Sequence, residues 1–172
     1  MSVYFDALRA AMLMIAEEPR SIFMGQAMTE GTAMAKTFRG IAPEKLLELP
    51  VMEDAQLGMA TGMSLTGLIP VTCYPRVNFL LLAMSQLVLH LDALPRYSTW
   101  RPRVIVRTAI ATPVPLDPGP QHLGDFTEAF CSMLQTVEVV RLDSADRIVP
   151  EYGKALQREG STLLIERTEL YA

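Results

Sequence analysis

The chain is poor in cysteine: Cys73 and Cys131 are its only two, far apart, with no Cys-x-x-Cys and no Cys/His cluster. That argues against a structural zinc site and leaves two reduced thiols, the usage of a cytoplasmic protein. It has no basic block and carries a net charge of −4, which argues against nucleic acid as a partner. No basic stretch leads into an apolar run at Met1-Ser2-Val3-Tyr4-Phe5-Asp6, so the start does not read as a secretory signal. No apolar run is long and uninterrupted. The longest, Val77 to Leu94, is broken by Asn78, Ser85, Gln86, His90 and Asp92, which is the wrong pattern for a membrane span. Repeats, low-complexity tracts and internal linkers are also missing.

What is present describes a globular domain. Hydrophobic residues make up 50% of 172 and charged residues 20%, enough apolar material for a real core and too little charge for disorder. The expectation is one domain over residues 1–172. Tyr4, Ala7, Leu8, Ala11, Met12 and Ile15 fall at helical spacing, with Ser2 placed to cap them. Short apolar strands are expected over 21–25, 69–74, 103–108, 137–141 and 162–166. Helices are expected over 53–65, 78–94, 126–134 and 144–158, and residues 26–49 read as a long loop with helical turns. Helices that alternate with short apolar strands predict an α/β fold, three layers around a mainly parallel sheet. The greasy 78–94 helix predicts burial on more than one side.

In such a sheet, ligands bind beyond the carboxyl ends of the strands. The segments to watch are therefore Gly25-Gln26, Tyr74 to Phe79, and the Pro/Gly-rich loop from Thr112 to Gly124 with His122 inside it. Glu53 opens the helix of small residues that follows Pro50-Val51-Met52. By spacing alone it reads as a first-turn acid, favoured by the unpaired N–H groups of a helix start. Gly58 and Gly62, four apart, share a helix face and would let another backbone come close. His90, inside the greasy segment, reads as structural.

Taken in order, these segments resemble one family. Tyr4-Phe5-Asp6-Ala7-Leu8-Arg9, Phe23-Met24-Gly25-Gln26, Pro50-Val51-Met52-Glu53, Gly67-Leu68-Ile69-Pro70-Val71, Asn78-Phe79 with Gln86 seven residues on, Gly119-Pro120-Gln121-His122 and Leu164-Ile165-Glu166-Arg167 follow a shared plan. It is similar to the pyrimidine-binding domain of thiamine-diphosphate enzymes, in the form found in the beta subunit of 2-oxo acid dehydrogenase decarboxylases and in transketolase. The resemblance runs from Tyr4 to Tyr171.

The resemblance implies roles. Glu53 would hydrogen-bond a ring nitrogen of the cofactor's aminopyrimidine and favour the tautomer that activates the thiazolium. Phe79 would stack on the pyrimidine, with Tyr74 the second choice. His122 would hold or protonate a substrate oxygen. Gln26 stands where the family usually has an acid, so it would help bind the cofactor as an amide and not by charge. Thiamine diphosphate and Mg2+ are the implied cofactors, and a 2-oxo acid or ketose the implied substrate.

The same resemblance points outward. The family's diphosphate and metal motif begins Gly-Asp-Gly and ends in Asn. Gly124-Asp125-Phe126 is the nearest string here and lacks the second glycine. The implied partner is therefore a separate diphosphate-binding, alpha-type subunit that holds most of the metal, in a hetero-oligomer. The greasy helix is a candidate docking surface. The chain stops where the family's further C-terminal domain would follow, so it reads either as a stand-alone half or as a piece. A small split decarboxylase half of the sulfo- or phosphono-pyruvate type, and a non-catalytic scaffold or regulatory paralogue, stand as alternatives.

Overall fold

A computed structural model describes residues 2–114 and 117–172. Residues 115 and 116 of the expected 112–124 loop, and residue 1, lie outside the described residues. Six strands form one sheet: β1 (Ser21–Gly25), β2 (Leu46–Glu48), β3 (Ile69–Tyr74), β4 (Ile105–Ile110), β5 (Glu138–Arg141) and β6 (Thr162–Arg167). Their order is β2-β1-β3-β4-β6-β5, and every neighbouring pair is parallel. Parallel strands need crossover connections, and the helices that supply them cover both faces.

Alternation along the strands feeds two cores. Phe23, Val71, Ile105 and Leu164 face one side, packed on α1 (Val3–Ala16) and α6 (Ala145–Gln157). Met24, Val106, Leu163 and Ile165 face the other. There they meet α2 (Glu53–Leu65), α3 (Val77–Leu80) and, beyond the short α4 (Leu94–Tyr97), α5 (Thr127–Met133). With both faces covered, β3 and β4 are buried at every residue, which is why they read as largely apolar, with Thr72, Arg107 and Thr108 buried among the apolar side chains. α1 starts as its sequence suggests: the Ser2 hydroxyl accepts from the Phe5 N–H at 3.2 Å.

Two expectations are corrected. Residues 26–49 contain a strand, the three-residue edge strand β2, paired on β1 from Phe23–Leu46 to Gly25–Glu48. The expected 78–94 helix is not one helix. It runs as α3, a 3-10 turn at Leu81–Ala83 and a π-helix at Ser85–Asp92, with a 64° bend between the halves. At its far end Pro95 has no N–H, and its ring would clash with the carbonyl four residues back. The buried Asp92 carboxylate anchors that end by accepting backbone N–H groups of Gln135 (2.8 Å), Thr136 (2.7 Å) and Val137 (3.0 Å). Among the described residues no single helix is long and apolar enough to cross a membrane. Leu80, Leu87 and Leu91 turn into the core, while Leu82 and Leu89 remain exposed and His90 faces outward.

Candidate active site

The chain leaves β1 through a tight contact. A side chain on Gly25 would place its Cβ 2.6 Å from the Cys73 carbonyl oxygen of β3, so only glycine fits there. The next turn is unusual too. Ala27 adopts a left-handed conformation (φ 54°), which costs a non-glycine residue energy unless the surroundings hold it. Glu48 at the end of β2 does so, its carboxylate accepting the Ala27 N–H (2.5 Å) and the Met28 N–H (2.8 Å). Gln26, between these anchors, has its amide aimed at α2 and donates to Glu53 Oε1 at 3.2 Å.

Glu53 is the first residue of α2 and is buried. The start of this helix has no side-chain cap from Met52. It is set against the sheet instead. The buried Gln56 amide donates to Thr72 Oγ1 (2.7 Å) and to the Cys73 carbonyl (3.1 Å). The Tyr74 hydroxyl donates to the Glu53 backbone carbonyl at 3.1 Å. Tyr74 is fully buried, and burial first, with nearby carboxylates adding, pushes its phenol well up, so it stays a donor. This corrects one expectation. Tyr74 has no free face to stack on a ligand, because β3 turns it under α2, where it supports Glu53.

Phe79 follows Tyr74 on α3 and is half-buried. Its ring lies 5.4 Å from the His122 imidazole, centroid to centroid, at 49°. The Asn78 amide donates to the Gln121 carbonyl at 3.0 Å and ties α3 to the turn at Pro120–His122. Two buried atoms here have no partner among the described residues: Asn78 Oδ1 and His122 Nδ1. Buried polar atoms are nearly always satisfied, but side-chain atoms of Asp92, Arg103, Thr108, Thr162 and Glu169 are unpartnered in the same way, so this feature does not single out the corner.

A cleft of about 400 Å³ opens beside these residues, walled by Gln26 after β1, by Pro75, Arg76 and Phe79 after β3, by Ala111 after β4 and by Thr168 after β6. It therefore lies at the carboxyl edge of the sheet, where the topology places ligands. The fold brings Gln26, Glu53, Phe79 and His122 into one region. The expectation that Gly58 and Gly62 admit a neighbouring backbone is corrected: a Cβ on Gly58 would meet only the Gln86 side chain, 3.3 Å from its amide oxygen, and one on Gly62 would meet nothing within 4 Å. Asp125, in the string nearest a metal motif, is engaged locally by the Thr127 N–H (2.9 Å) and hydroxyl (2.6 Å) and by Arg141 (3.4 Å).

One cluster under the site escaped the sequence reading. Arg107 of β4 and Glu166 of β6 are wholly buried and paired at 2.5 Å and 3.1 Å. The Thr37 hydroxyl accepts from Arg107 (2.8 Å), the Tyr152 hydroxyl donates to Glu166 (2.7 Å), and the Tyr171 hydroxyl donates to the same carboxylate. Burial alone would lower the Arg107 guanidinium; the carboxylate against it more than reverses this. Tyr171 also lines the cleft, so the network fixes part of its wall. A charged residue inside an apolar strand was the available signal.

Comparisons with known proteins bear on the family and the fold. The model of the transketolase pyrimidine-binding domain matches residues 3–172. A pyruvate dehydrogenase E1 component subunit beta from Staurastrum punctulatum is 33% identical over 88 residues, 48% of this chain and 27% of that protein. Among solved structures, a split-gene transketolase, an inactive beta4 tetramer, superposes with a TM-score of 0.72 at 20% identity, covering 96% of this chain and 50% of that one. A transketolase from Leishmania mexicana superposes with a TM-score of 0.70 at 15% identity, covering 94% of this chain and 24% of that one. The chain thus spans half or less of each of these three proteins. At those identities the structures speak for the fold, and the family match over nearly all 172 residues speaks for descent: this chain belongs to the transketolase pyrimidine-binding domain family.

Proposed function

We propose that this chain is the beta-type half of a split thiamine-diphosphate-dependent enzyme, acting on a 2-oxo acid or a ketose in a hetero-oligomer with a separate diphosphate-binding chain. The observation that carries this reading is the placement of Glu53. A buried carboxylate at a helix start faces the carboxyl edge of a parallel sheet, held on one oxygen by Gln26. No other described side chain hydrogen-bonds it. It is a fixed acceptor suited to a protonated ring nitrogen.

The residues present fit the pyrimidine end of thiamine diphosphate. Glu53 would take the ring nitrogen, Phe79 would offer its face, and the unpartnered His122 Nδ1 would meet a substrate oxygen. When bound, the cofactor supplies a carbon nucleophile for carbonyl chemistry. The protein's part is to orient, exclude water and hold a proton at the ring nitrogen. The diphosphate and Mg2+ belong to the partner chain in this reading, which the split-subunit relatives support.

Calorimetric titration with thiamine diphosphate and Mg2+ tests it, on the chain alone and after co-purification with a chain carrying the Gly-Asp-Gly…Asn motif. Binding by the pair and not by the single chain is expected. Micromolar binding by the chain alone would refute the division of labour.

A further inference from the structure

We propose that Arg107 and Glu166 are positioning residues of the cleft: their buried ion pair ties two of its walls together, the wall at Met34 and the wall at Tyr171. The part this gives them in catalysis rests on the cofactor reading above; the coupling itself does not. Thr32, Ala33 and Met34 line the cleft from the first quarter of the chain, and Thr168 and Tyr171 line it from the last strand's exit. Met34 opens a 3-10 turn over Met34–Phe38, and Tyr171 closes another over Thr168–Tyr171. Neither turn belongs to a strand, so the sheet's own ladder does not fix where they stand.

The ion pair reaches both. Arg107 Nη1 donates to the Thr37 hydroxyl at 2.8 Å, and that hydroxyl donates in turn to the Met34 carbonyl at 2.6 Å. The Phe38 ring centre lies 5.2 Å from the same guanidinium carbon. On the other side, Glu166 Oε2 accepts from the Tyr171 hydroxyl and from Arg107 Nη2 (3.1 Å). The contacts Met34–Thr37–Arg107–Glu166–Tyr171 therefore start and end at the cleft, and every member is buried. Close-packed interiors pass displacement on. The planar fork of arginine also fixes the angle between Thr37 and Glu166, which the point charge of a lysine would not. Stability does not demand such a pair, since an apolar pair of similar volume is often as stable or more so. What an apolar pair lacks is a directed bond to a hydroxyl on each side.

The test uses the full chain, without cofactor, and the methyl group of Met34 as reporter. The 11 methionines are labelled with carbon-13 at their methyl groups, and Met34→Leu assigns the signal at the cleft. Tyr171→Phe removes only the hydroxyl that joins the second wall to Glu166. It should move the Met34 signal by more than its linewidth. Tyr152→Phe should move it too, because the Tyr152 hydroxyl donates to Glu166 at 2.7 Å and Tyr152 does not line the cleft. Thr37→Val cuts the link at the first wall. Adding either tyrosine variant to Thr37→Val should leave the Met34 signal where Thr37→Val alone puts it, the non-additivity of residues that act through one network. Thr37→Ser keeps the hydroxyl and should preserve the response.

A Met34 signal that either tyrosine variant leaves in place overturns the proposal. So does a shift that persists unchanged in the Thr37→Val background, because it would then pass directly between the walls and not through the ion pair. A network that served stability alone would lower the urea midpoint of each variant and leave the Met34 signal where it was. No cofactor enters the measurement. It is therefore separate from the titration of the two-chain assembly with thiamine diphosphate, and either idea can fail without the other.

Discussion

Gln26 at the end of β1 donates its amide to the Glu53 carboxylate at the start of α2, 3.2 Å away. The resemblance places an acid where Gln26 stands. An acid there would set two carboxyl groups against each other, and one would keep its proton to higher pH. An amide fixes Glu53 without adding charge. Gln26→Glu is therefore expected to move the acid limb of the pH–rate profile of the assembled enzyme to higher pH, by about one unit or more. An unmoved limb would show that position 26 does not act on Glu53.

Glu53→Gln keeps the shape and leaves an acceptor for the Gln26 amide, so the fold should hold. Turnover of the proposed two-chain enzyme should fall by roughly 10²–10⁴-fold, the usual cost of removing a positioned proton-transfer group. Thermal melting and turnover, measured on the same preparation, separate the two roles. A collapsed melting point with unchanged turnover would make Glu53 structural.

Gly25→Ala adds a methyl group 2.6 Å from a backbone carbonyl that cannot move without β3. It should destabilise the chain by roughly 1–3 kcal/mol, the range for overpacking, read from urea unfolding. Because Gln26 follows directly, the substitution should also weaken cofactor binding in the complex. An unchanged midpoint would mean that the turn after β1 is looser than its contacts.

Glu166→Gln strands the Arg107 guanidinium inside the sheet. The expected loss is about 3–5 kcal/mol, since a buried charge loses its counter-charge. Adding Arg107→Met to Glu166→Gln should recover part of it. If the double variant is no more stable than Glu166→Gln alone, the damage is not the unpaired charge.

Asp92 gives stability an acid dependence. Burial would raise its carboxyl, but the N–H groups of Val137, Thr136 and Gln135 bring it below the ordinary value. A depressed folded-state pKa contributes stability that is fully present above the unfolded value, near 4, and is lost as pH falls through the folded one. Urea midpoints should therefore fall on acidification below about pH 4, and Asp92→Asn should flatten that part of the curve. An identical slope in the variant would assign the acid loss to other carboxylates.

Much of the fold was legible because burial on both faces leaves a local record. The runs Ile69–Tyr74 and Ile105–Ile110 are mostly apolar because helices cover them on two sides, and the Ser2 start of α1 is a local contact. The loops after the strands were legible as the functional edge because topology alone sets it. β2 was not, since three residues at a sheet edge carry too short a pattern to show a period. The broken segment from Val77 to Tyr97 was not either, because its π-helix is held by Asp92 reaching residues more than forty positions away.

The sequence by itself determined the α/β class and most of the element order, and its family resemblance picked out Gln26, Glu53, Phe79 and His122 as candidates. Only the tertiary structure decided that Tyr74 turns inward under Glu53, that Gln26 supplies the hydrogen bond to the Glu53 carboxylate, and that Arg107 meets Glu166. The physical reason is distance along the chain. Element type follows from neighbours within a turn or a strand. The direction of a side chain and the identity of its partner follow from parallel strands stacked in register, which bring together residues 21 to 59 positions apart.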